Sequence, residues 1–419
     1  GLEILPLPME EGARLLFGRA PSGLPVYLLD APWLFGRDTN PYAEDGGSPR
    51  RYAALAVAAS RLAEEGDGAG WKPDVVHAHD WPAGLVPAYV AGLGPSRPAT
   101  VMTVHNAAYQ GLFPGKAFAE LGLPEASFSP QGVEFHGKVS LLKAGLQYAD
   151  KLTTVSPTFA RELQAPAGGK GLEGLFAHRA ADLSGILNGV DTSVWDPAFD
   201  PFLPMLYDDG TVDRRTFNKI TLQAELGLEE DLGAPLFGVV SRLDPLKGLD
   251  LVLENEELLA ELGAQLVVLG RGSGILEDGF RELAEARPRQ VALVPDQNEG
   301  LAHRIFGGAD FILVPSRYEP CGLTQMYAQR YGALPIVRRT GGLADTVEDL
   351  EIGGPEATGF VFEEATAEAL AGAIFRANAW FREAPDALKL VQRRAMVRDF
   401  SWAGPAQQYQ DLYASLAPT

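Results

Sequence analysis

One stretch of the chain, residues 311–346, constrains the fold more than any other part of the sequence. Four apolar residues at 311–314 predict a short buried strand, which a loop rich in Pro and Gly at 315–323 ends before a helical segment. A second apolar run at 334–337 predicts another buried strand, and the polar and glycine residues at 338–342 precede a further helix. This alternation is typical of a parallel α/β sheet.

The two loops of this stretch are predicted to open on the same edge of the sheet. Ligands bind at the carboxyl ends of parallel strands, because helix N-termini there present free N–H groups. Glu319 would accept hydrogen bonds from sugar hydroxyls, and the N–H groups near Gly341 and Gly342 would donate to phosphate oxygens. The alternative is an ordinary surface carboxylate beside an ordinary turn.

The string SRYEPCGLTQMYAQRYG, followed by RRTGGLADT, closely resembles the donor-binding signature of bacterial glycogen synthases and plant starch synthases. The resemblance implies a GT-B fold, in which two Rossmann-like α/β domains face each other across a cleft, and a retaining glycosyltransferase that uses ADP-glucose. It implies that Glu319 binds a donor-sugar hydroxyl and stabilises an oxocarbenium-like state without acting as a nucleophile. It also implies donor-binding roles for Asn188, Cys321, Gly322, Leu323, Thr324, Thr340, Gly341 and Gly342.

Length and charge restrict the domain number and the partners. A chain of 419 residues exceeds what one hydrophobic core usually organises, so two domains are expected. A net charge of −20 argues against binding to nucleic acid or to an anionic membrane, and no apolar run reaches the length of a membrane span. Cys321 is the only cysteine, which excludes internal disulfides and fits a reducing compartment. We expect a cytoplasmic protein if the source is bacterial and a plastid protein if it is a plant.

The N-terminal half contains two strands that end in histidine-bearing loops. Residues 1–50 predict strands around a hairpin, and residues 51–63 predict an amphipathic helix. His77 and His79, each taken alone, are interpreted as structural. His105 differs, because TVHNAAYQG resembles the family segment whose histidine contacts the transferred glucose.

The neighbouring polar residues are assigned by the same resemblance. HAHDWPAGL resembles the family segment whose aspartate lines the acceptor side, which implies that role for Asp80, and Asn106 and Tyr109 are placed there as well. No set of residues has the spacing of a metal site, so no metal and no other cofactor is expected.

One departure from the family pattern is large. The family begins with a strand and a Lys-Xaa-Gly-Gly loop that closes over the donor, and this sequence does not contain that loop. We expect either that the donor site lacks this lysine or that the given sequence omits the segment. A smaller departure is VALVPDQNEGLAHR, which lacks the Gly-Tyr expected after its strand.

The C-terminal half is predicted to begin after a linker. Clustered Pro, Asp and Gly place a linker at 201–235, between an N-terminal domain at 1–200 and a C-terminal domain at 236–400. A last helix at 401–419 is predicted to pack back on the N-terminal domain. Arg242 and Lys247 follow the first strand of the C-terminal domain; they form either a surface ion pair or a diphosphate site. SRLDPLKGLD resembles the family motif whose arginine and lysine hold the donor phosphates.

The sequence therefore predicts a glycogen or starch synthase. It would transfer glucose from ADP-glucose to the 4-hydroxyl at the non-reducing end of an α-1,4-glucan such as glycogen, with retention of configuration. The catalytic residues would be Glu319, His105, Arg242 and Lys247. Two alternatives stay open: a related transferase that uses UDP-glucose, and a non-catalytic glucan-binding homologue.

Overall fold

A computed structural model describes residues 3–4, 12–35, 49–68 and 70–416. The backbone forms two compact units. The first contains the described residues up to Val155, Ala160–Ile186 and the chain from Gln408 onwards, and the second contains Ser156–Phe159 and Leu187–Gln407. Each is described by itself below.

A parallel sheet of four strands and two small antiparallel sheets make up the strands of the first unit. The strands are β1 (Glu3–Ile4), β2 (Arg14–Arg19), β3 (Pro25–Asp30), β4 (Val75–His79), β5 (Ala99–Val104), β6 (Leu112–Pro114), β7 (Glu134–Phe135), β8 (Lys138–Ser140), β9 (Lys151–Thr154) and β10 (Leu183–Gly185). The parallel sheet has the order β10-β9-β5-β4, and the antiparallel sheets have the orders β1-β2-β3 and β6-β8-β7. The hairpin of β2 and β3 confirms the hairpin predicted before residue 50; residues 36–48 of that region lie outside the described residues.

The helices of the first unit begin close to where the sequence predicts them. They are α1 (Pro32–Phe35), α2 (Arg50–Glu65), α3 (Val86–Ala91), α4 (Leu141–Tyr148), α5 (Pro157–Glu162, whose first residues belong to the second unit), α6 (Pro166–Gly169) and α7 (Glu173–His178). Helix α2 confirms the predicted helix at 51–63 and buries Tyr52, Ala53 and Ala56 on one face. The Ser156 hydroxyl accepts the Phe159 N–H at 2.9 Å and so caps the first turn of α5.

The second unit is built on one parallel sheet of six strands. These are β11 (Leu236–Val240), β12 (Gln265–Leu269), β13 (Val291–Val294), β14 (Phe311–Val314), β15 (Leu334–Arg338) and β16 (Phe360–Phe362). Their order is β13-β12-β11-β14-β15-β16, and every neighbouring pair is parallel. The strand order therefore reverses between β11 and β14, as in a Rossmann fold, and such a switch point opens a crevice at the carboxyl ends of the strands.

Helices cover both faces of this sheet. They are α8 (Arg215–Glu225), α9 (Asp250–Leu253), α10 (Glu256–Glu261), α11 (Gly274–Ala286), α12 (Glu299–Gly308), α13 (Thr324–Arg330), α14 (Gly341–Thr346), α15 (Ala367–Glu383) and α16 (Pro385–Met396). The last helix, α17 (Ala403–Leu416), begins in this unit, and its residues from Gln408 onwards belong to the first unit. Side chains of β14 alternate between two cores: Phe311 and Leu313 pack on one face, and Ile312 and Val314 on the other. A strand covered on both faces is apolar at every position, which explains the run FILV.

The boundary between the units differs from the predicted one. The chain enters the second unit at Leu187, and the predicted linker at 201–235 belongs to that unit. Leu203, Tyr207 and Leu222 of this segment are buried in one of its cores. The Pro, Asp and Gly residues do form turns, but the apolar residues between them pack against the sheet, so the segment is not a free linker. At the chain end, residues of α17 from Gln408 onwards belong to the first unit, in which the Tyr413 hydroxyl lies 2.7 Å from His77 Nδ1.

Candidate functional site

In the second unit, the loops that follow β11 and β14 meet at the switch point of the sheet. Lys247 lies in a short 3-10 turn, Pro245–Lys247, whose first N–H groups are capped by the Asp244 carboxylate at 2.8 Å. The turn ends at Gly248 with a φ of 66°, and a Cβ there would lie 2.1 Å from the Pro315 carbonyl oxygen. Only glycine allows this approach, which brings the two loops into direct contact.

An ion pair between Lys247 and Glu319 joins these loops. The Lys247 Nζ atom lies 2.6 Å from Glu319 Oε2, and the Ser316 hydroxyl donates to the same oxygen at 2.8 Å. Glu319 is only 7% exposed. Its other oxygen, Oε1, makes no hydrogen bond to the described residues, so it remains an acceptor for the hydroxyl group of a ligand.

Two arginines fix the loop that carries Glu319. Arg338 donates from Nε to the Ser316 carbonyl at 2.8 Å and from a terminal nitrogen to the Arg317 carbonyl at 2.7 Å. Arg317 in turn makes two parallel hydrogen bonds to Asp250, at 2.6 and 2.7 Å. Sequence analysis did not assign a role to Arg317, Arg338 or Ser316; the available signal was that Ser316 and Arg317 stand just before Glu319 and that Arg338 ends β15.

Arg242 faces a neighbouring cavity of about 510 Å³ at the ends of β11, β12 and β13. Its guanidinium is exposed and makes no ion pair with any described residue. The cavity is also lined by Trp195 and by Gln297, which stands in the segment where the predicted Gly-Tyr is missing. The structure thus brings Lys247 and Glu319 into contact, whereas Arg242, which like Lys247 lies in the loop that follows β11, lines the cavity without an ion pair to a described residue.

Trp195 is a site residue that sequence analysis missed. Its indole stacks on Tyr327 with a ring separation of 3.9 Å and on His303 at 3.8 Å. His303 is fully buried, and its Nδ1 lies 2.6 Å from the Asp200 carboxylate. This stack, in which Trp195 and Tyr327 are partly buried, supports one wall of the cavity. A tryptophan soon after the strand-and-turn LSGILNGVD was the signal for it.

The predicted donor-binding residues around Cys321 pack closely together. Cys321 is buried, and burial raises the pKa of its thiol to about 12, although a hydrogen bond from the Asn188 backbone acts in the opposite direction. Gly322, with a φ of 71°, turns the chain into α13, which begins directly after Leu323 at Thr324. The first N–H groups of a helix lack intrahelical acceptors, and α13 starts in the loop that follows β14, the loop that also carries Glu319.

The Gly342 N–H group, predicted to donate to a phosphate oxygen, donates to two carbonyl groups of the protein. In this structure it donates to the carbonyl oxygens of Glu319 and Pro320, at 3.2 and 3.1 Å. The reason is the tight turn at Gly341, where φ is 44° and a Cβ would lie 1.9 Å from the Glu319 carbonyl oxygen. The turn that begins at Thr340 therefore holds the loop that bears Glu319, and the phosphate-binding role of this N–H group stays a prediction.

In the first unit, Asp80 holds together the two loops that follow β4 and β5. Its Oδ1 accepts the backbone N–H of His105 at 2.7 Å and that of Asn106 at 3.4 Å. Burial raises the pKa of Asp80, and the nearby His105 opposes this shift. Asn106 caps its own turn by accepting the Ala108 N–H at 2.9 Å, and Tyr109 is 42% exposed.

His105 has a histidine partner that sequence analysis assigned to a structural role. His79 Nδ1 lies 3.0 Å from His105 Nε2, and the His79 ring stacks on His77 with a ring separation of 4.2 Å. Loss of water around the ring, together with the nearby His105, lowers the pKa of His79. The signal for this contact was the parallel pairing of β4 and β5, which places His79 opposite Thr103, two residues before His105.

Sequence comparisons identify the family of this chain. A family profile described as the starch synthase catalytic domain matches residues 7–178, and one described as glycosyl transferases group 1 matches residues 225–378. The chain is 48% identical to a glycogen synthase of Leptothrix cholodnii over 98% of its own length and 86% of that protein. It is 49% identical to a glycogen synthase of Serratia proteamaculans over 94% of its length and 84% of that protein.

The chain belongs to the glycogen and starch synthase family. Among solved structures, this family member is similar to the catalytic domain of starch synthase IV from Arabidopsis thaliana bound to ADP and acarbose, with a TM-score of 0.88 and 31% identity. That match covers 99% of this chain and 87% of the other. A sucrose-phosphate synthase of Thermosynechococcus elongatus, at 22% identity and a TM-score of 0.54, shares the fold.

The predicted fold class is confirmed: this glycogen and starch synthase family member is a glycosyltransferase of GT-B fold with two Rossmann-like units. Within the part of the chain that the structure describes, no helix is long and apolar enough to cross a membrane. The same residues contain no group of three or more His, Cys, Asp or Glu side chains arranged to hold a metal ion.

Proposed function

We propose that this glycosyltransferase transfers glucose from ADP-glucose to the 4-hydroxyl at the non-reducing end of an α-1,4-glucan, with retention of configuration. The observation that carries the proposal is the contact of Lys247 with Glu319 at the switch point of the second unit, in a chain 48% identical to a glycogen synthase. ADP and acarbose, an oligosaccharide analogue, are bound in the related starch synthase IV, which supports a nucleotide-sugar donor and a glucan acceptor.

Charge moves toward the leaving phosphate during this reaction. The bond between C1 of glucose and the β-phosphate oxygen breaks, and the developing negative charge leaves with ADP. Arg242 and Lys247 would stabilise that charge, and removing one such group typically costs about 3 to 4 kcal/mol of barrier. We propose that these cations serve in place of a metal ion.

The second half of the reaction forms a bond between C1 and the acceptor oxygen. Glu319 would bind a donor hydroxyl through its open Oε1 and stabilise the positive charge of the oxocarbenium-like state. The acceptor 4-hydroxyl attacks on the face that the phosphate leaves, and its proton passes to the departing phosphate. His105 of the first unit is proposed to bind a hydroxyl of the transferred sugar, and Asp80, Asn106 and Tyr109 to act on the acceptor side.

Donor competition tests this proposal. Incorporation of labelled glucose into glycogen would be measured from ADP-glucose and from UDP-glucose, each with the other nucleotide sugar as unlabelled competitor. We expect incorporation from ADP-glucose that unlabelled UDP-glucose does not suppress. Preference for UDP-glucose would establish the related transferase instead, and glycogen binding with no incorporation from either donor would establish a non-catalytic homologue.

A further inference from the structure

A second cavity, of about 490 Å³, lies in the second unit away from the candidate donor site. It is lined by Leu232 and Gly233 just before β11 and by Gly308 and Asp310 just before β14. It therefore sits at the amino ends of the two strands whose carboxyl ends carry Arg242 and Glu319. The remaining walls come from α8, the end of α15 and the start of α16.

Four cations and two carboxylates line this cavity: Arg215, Lys219, Arg382 and Lys389, with Asp213 and Asp310. Lys219 pairs with Asp310 at 2.7 Å, and Lys389 pairs with Asp213 at 2.7 Å. The two arginines have no carboxylate partner among the described residues. Arg382 donates instead to the Asn378 side chain and to the Leu262 carbonyl, at 3.0 and 2.6 Å. The cavity thus keeps two uncompensated guanidinium groups in a protein with a net charge of −20.

Arg215 is the more informative of the two, because it is buried. Arg215 is 6% exposed, and one terminal nitrogen of its guanidinium donates to the carbonyl oxygens of Phe306 and Ala309 at the end of α12. In these contacts one terminal nitrogen caps the end of α12, but the buried Nε has no hydrogen-bond partner among the described residues. A buried cation without a counter-ion is costly, since desolvation is not repaid by an opposite charge.

Helix α16 adds a second source of positive potential to the same cavity. It has 12 residues and begins at Pro385, and its N-cap residue Ala384 provides no side-chain cap; Asp386 of its first turn is acidic but does not line the cavity. The first N–H groups of such a helix and its dipole attract anions. Apolar side chains, among them Phe381 and Leu388, form the adjoining wall.

We propose that this cavity is a binding site for a small organic anion, one that carries a phosphate or carboxylate group on an apolar body. The anionic group would pair with Arg215 and Arg382, and the apolar body would pack against Phe381 and Leu388. The site is distinct from the proposed donor site, because none of its lining residues lies in the loops that carry Arg242, Lys247 and Glu319.

Isothermal titration of the full chain with three probes tests the proposal: phenyl phosphate, benzoate and the neutral analogue benzyl alcohol. We expect one or both anions to bind at least about tenfold more tightly than benzyl alcohol, because hydrogen bonds to a charged group contribute enough binding free energy for such a difference. Arg382→Gln, at the exposed rim, should weaken anion binding by about tenfold. Arg215→Gln should do the same, and Arg382→Gln keeps the test valid if burial of a new amide unfolds the Arg215 variant.

Two further variants locate the bound anion. Arg281→Gln changes an exposed arginine of α11 outside the cavity and should leave binding unchanged. The double variant Arg242→Gln/Lys247→Gln removes the cations of the proposed donor site and should also leave it unchanged. The proposal is overturned if benzyl alcohol binds as tightly as both anions, if neither anion binds, or if binding survives Arg382→Gln and is lost in the double variant. None of these results depends on glucosyl transfer, so they do not decide the proposed function.

Discussion

His79 Nδ1 and His105 Nε2 lie 3.0 Å apart, which is a hydrogen bond between two imidazole rings. Each neutral ring carries one proton. If His79 donates from Nδ1, His105 accepts at Nε2 and must hold its proton on Nδ1. If His105 donates from Nε2, His79 accepts at Nδ1 and must hold its proton on Nε2. Both rings therefore always have the same tautomer, and the pair presents one N–H donor and one bare nitrogen to a ligand.

The shared tautomer of His79 and His105 can be tested by nuclear magnetic resonance. With 15N-labelled histidine, we expect His79 and His105 to show the same tautomer at neutral pH. His79→Phe should remove the constraint and change the ring shifts of His105. The chain has 6 histidines, so His136 and His178 provide reference signals in the same spectrum. Opposite tautomers in the two rings would disprove the pairing.

His77 predicts a dependence of stability on pH. Burial, with smaller effects of His79 and His105, lowers its pKa from 6.5 to about 3, and its ring nitrogens contact the Tyr413 and Thr103 hydroxyls at 2.7 and 2.6 Å. The unfolded chain takes up a proton near the ordinary pKa, whereas the folded chain does not until far lower pH. The free energy of unfolding should therefore fall as pH drops below about 6.5, by up to about 1.4 kcal/mol per pH unit.

Urea unfolding between about pH 7 and pH 5 measures this effect, in a range above the titration of most carboxylates. His77→Asn should give a shallower dependence than the parent chain. His178→Asn, at an exposed position of α7, serves as the matched control and should keep the parent slope. Equal slopes for all three chains would mean that His77 is protonated in the folded state as readily as in the unfolded state.

Replacement of Lys247 or Glu319 is expected to reduce turnover strongly while the protein stays folded. Lys247→Ala and Glu319→Ala should each reduce kcat by about 100- to 1,000-fold, the scale of removing one preorganised electrostatic group. Lys247→Ala leaves a carboxylate that is 7% exposed without its cation, so it should also destabilise the protein, by about 1 to 3 kcal/mol. Circular dichroism checks folding, and initial rates of glucose transfer check activity. Near-normal turnover in either variant would remove that residue from the mechanism.

Gly341 predicts a loss of function through backbone geometry. An added Cβ would lie 1.9 Å from the Glu319 carbonyl oxygen, so Gly341→Ala must displace the loop that carries Glu319. We expect transfer activity to fall at least about tenfold, since small misplacements of reacting groups are costly. Gly372→Ala is the matched control: it lies in α15 with nothing within 4 Å of the added Cβ and should raise stability by about 0.5 to 1 kcal/mol. Full activity in Gly341→Ala would show that the loop adapts.

The buried thiol of Cys321 is expected to react slowly with alkylating reagents in the folded chain. Because burial raises the pKa of its thiol to about 12, little thiolate forms near neutral pH, and the thiol is also sterically shielded. Iodoacetamide should leave the folded chain unmodified and should modify it once in urea, which intact-mass measurement detects directly because Cys321 is the only cysteine. Rapid modification of the folded chain would show that this loop opens.

The strands and loops of the second unit were predicted well from the sequence. Buried parallel strands produce uninterrupted apolar runs such as FILV, and the Pro, Gly and polar residues between these runs mark the loops. It also placed Glu319 and Lys247 at strand ends, where a parallel sheet brings such residues together. The segment at 201–235, predicted as a linker, groups with the second unit, since turn-forming residues do not show whether the apolar side chains between them are buried. That property depends on the rest of the unit.

Contacts between distant segments account for the other differences. The bonds from the Gly342 N–H group to the Glu319 and Pro320 carbonyls depend on how two loops fold onto each other, which local spacing does not determine. The pairing of His79 with His105 depends on the register of β4 against β5. The role of each histidine was ambiguous from the sequence alone, and the register of the two strands is what brings the two rings into contact.

The switch-point arrangement also has a consequence for the order of events as the chain is made. Lys247 and Glu319 are 72 residues apart in sequence, and strands β12 and β13 lie between them in the chain but not between them in space. When the ribosome has synthesised β11 to β13, the chain already contains Lys247, but Glu319 has not yet been translated. Partial chains that end before β14 would thus carry Lys247 without its carboxylate partner at an unfinished sheet edge, and the proposed catalytic pair would form only late in synthesis.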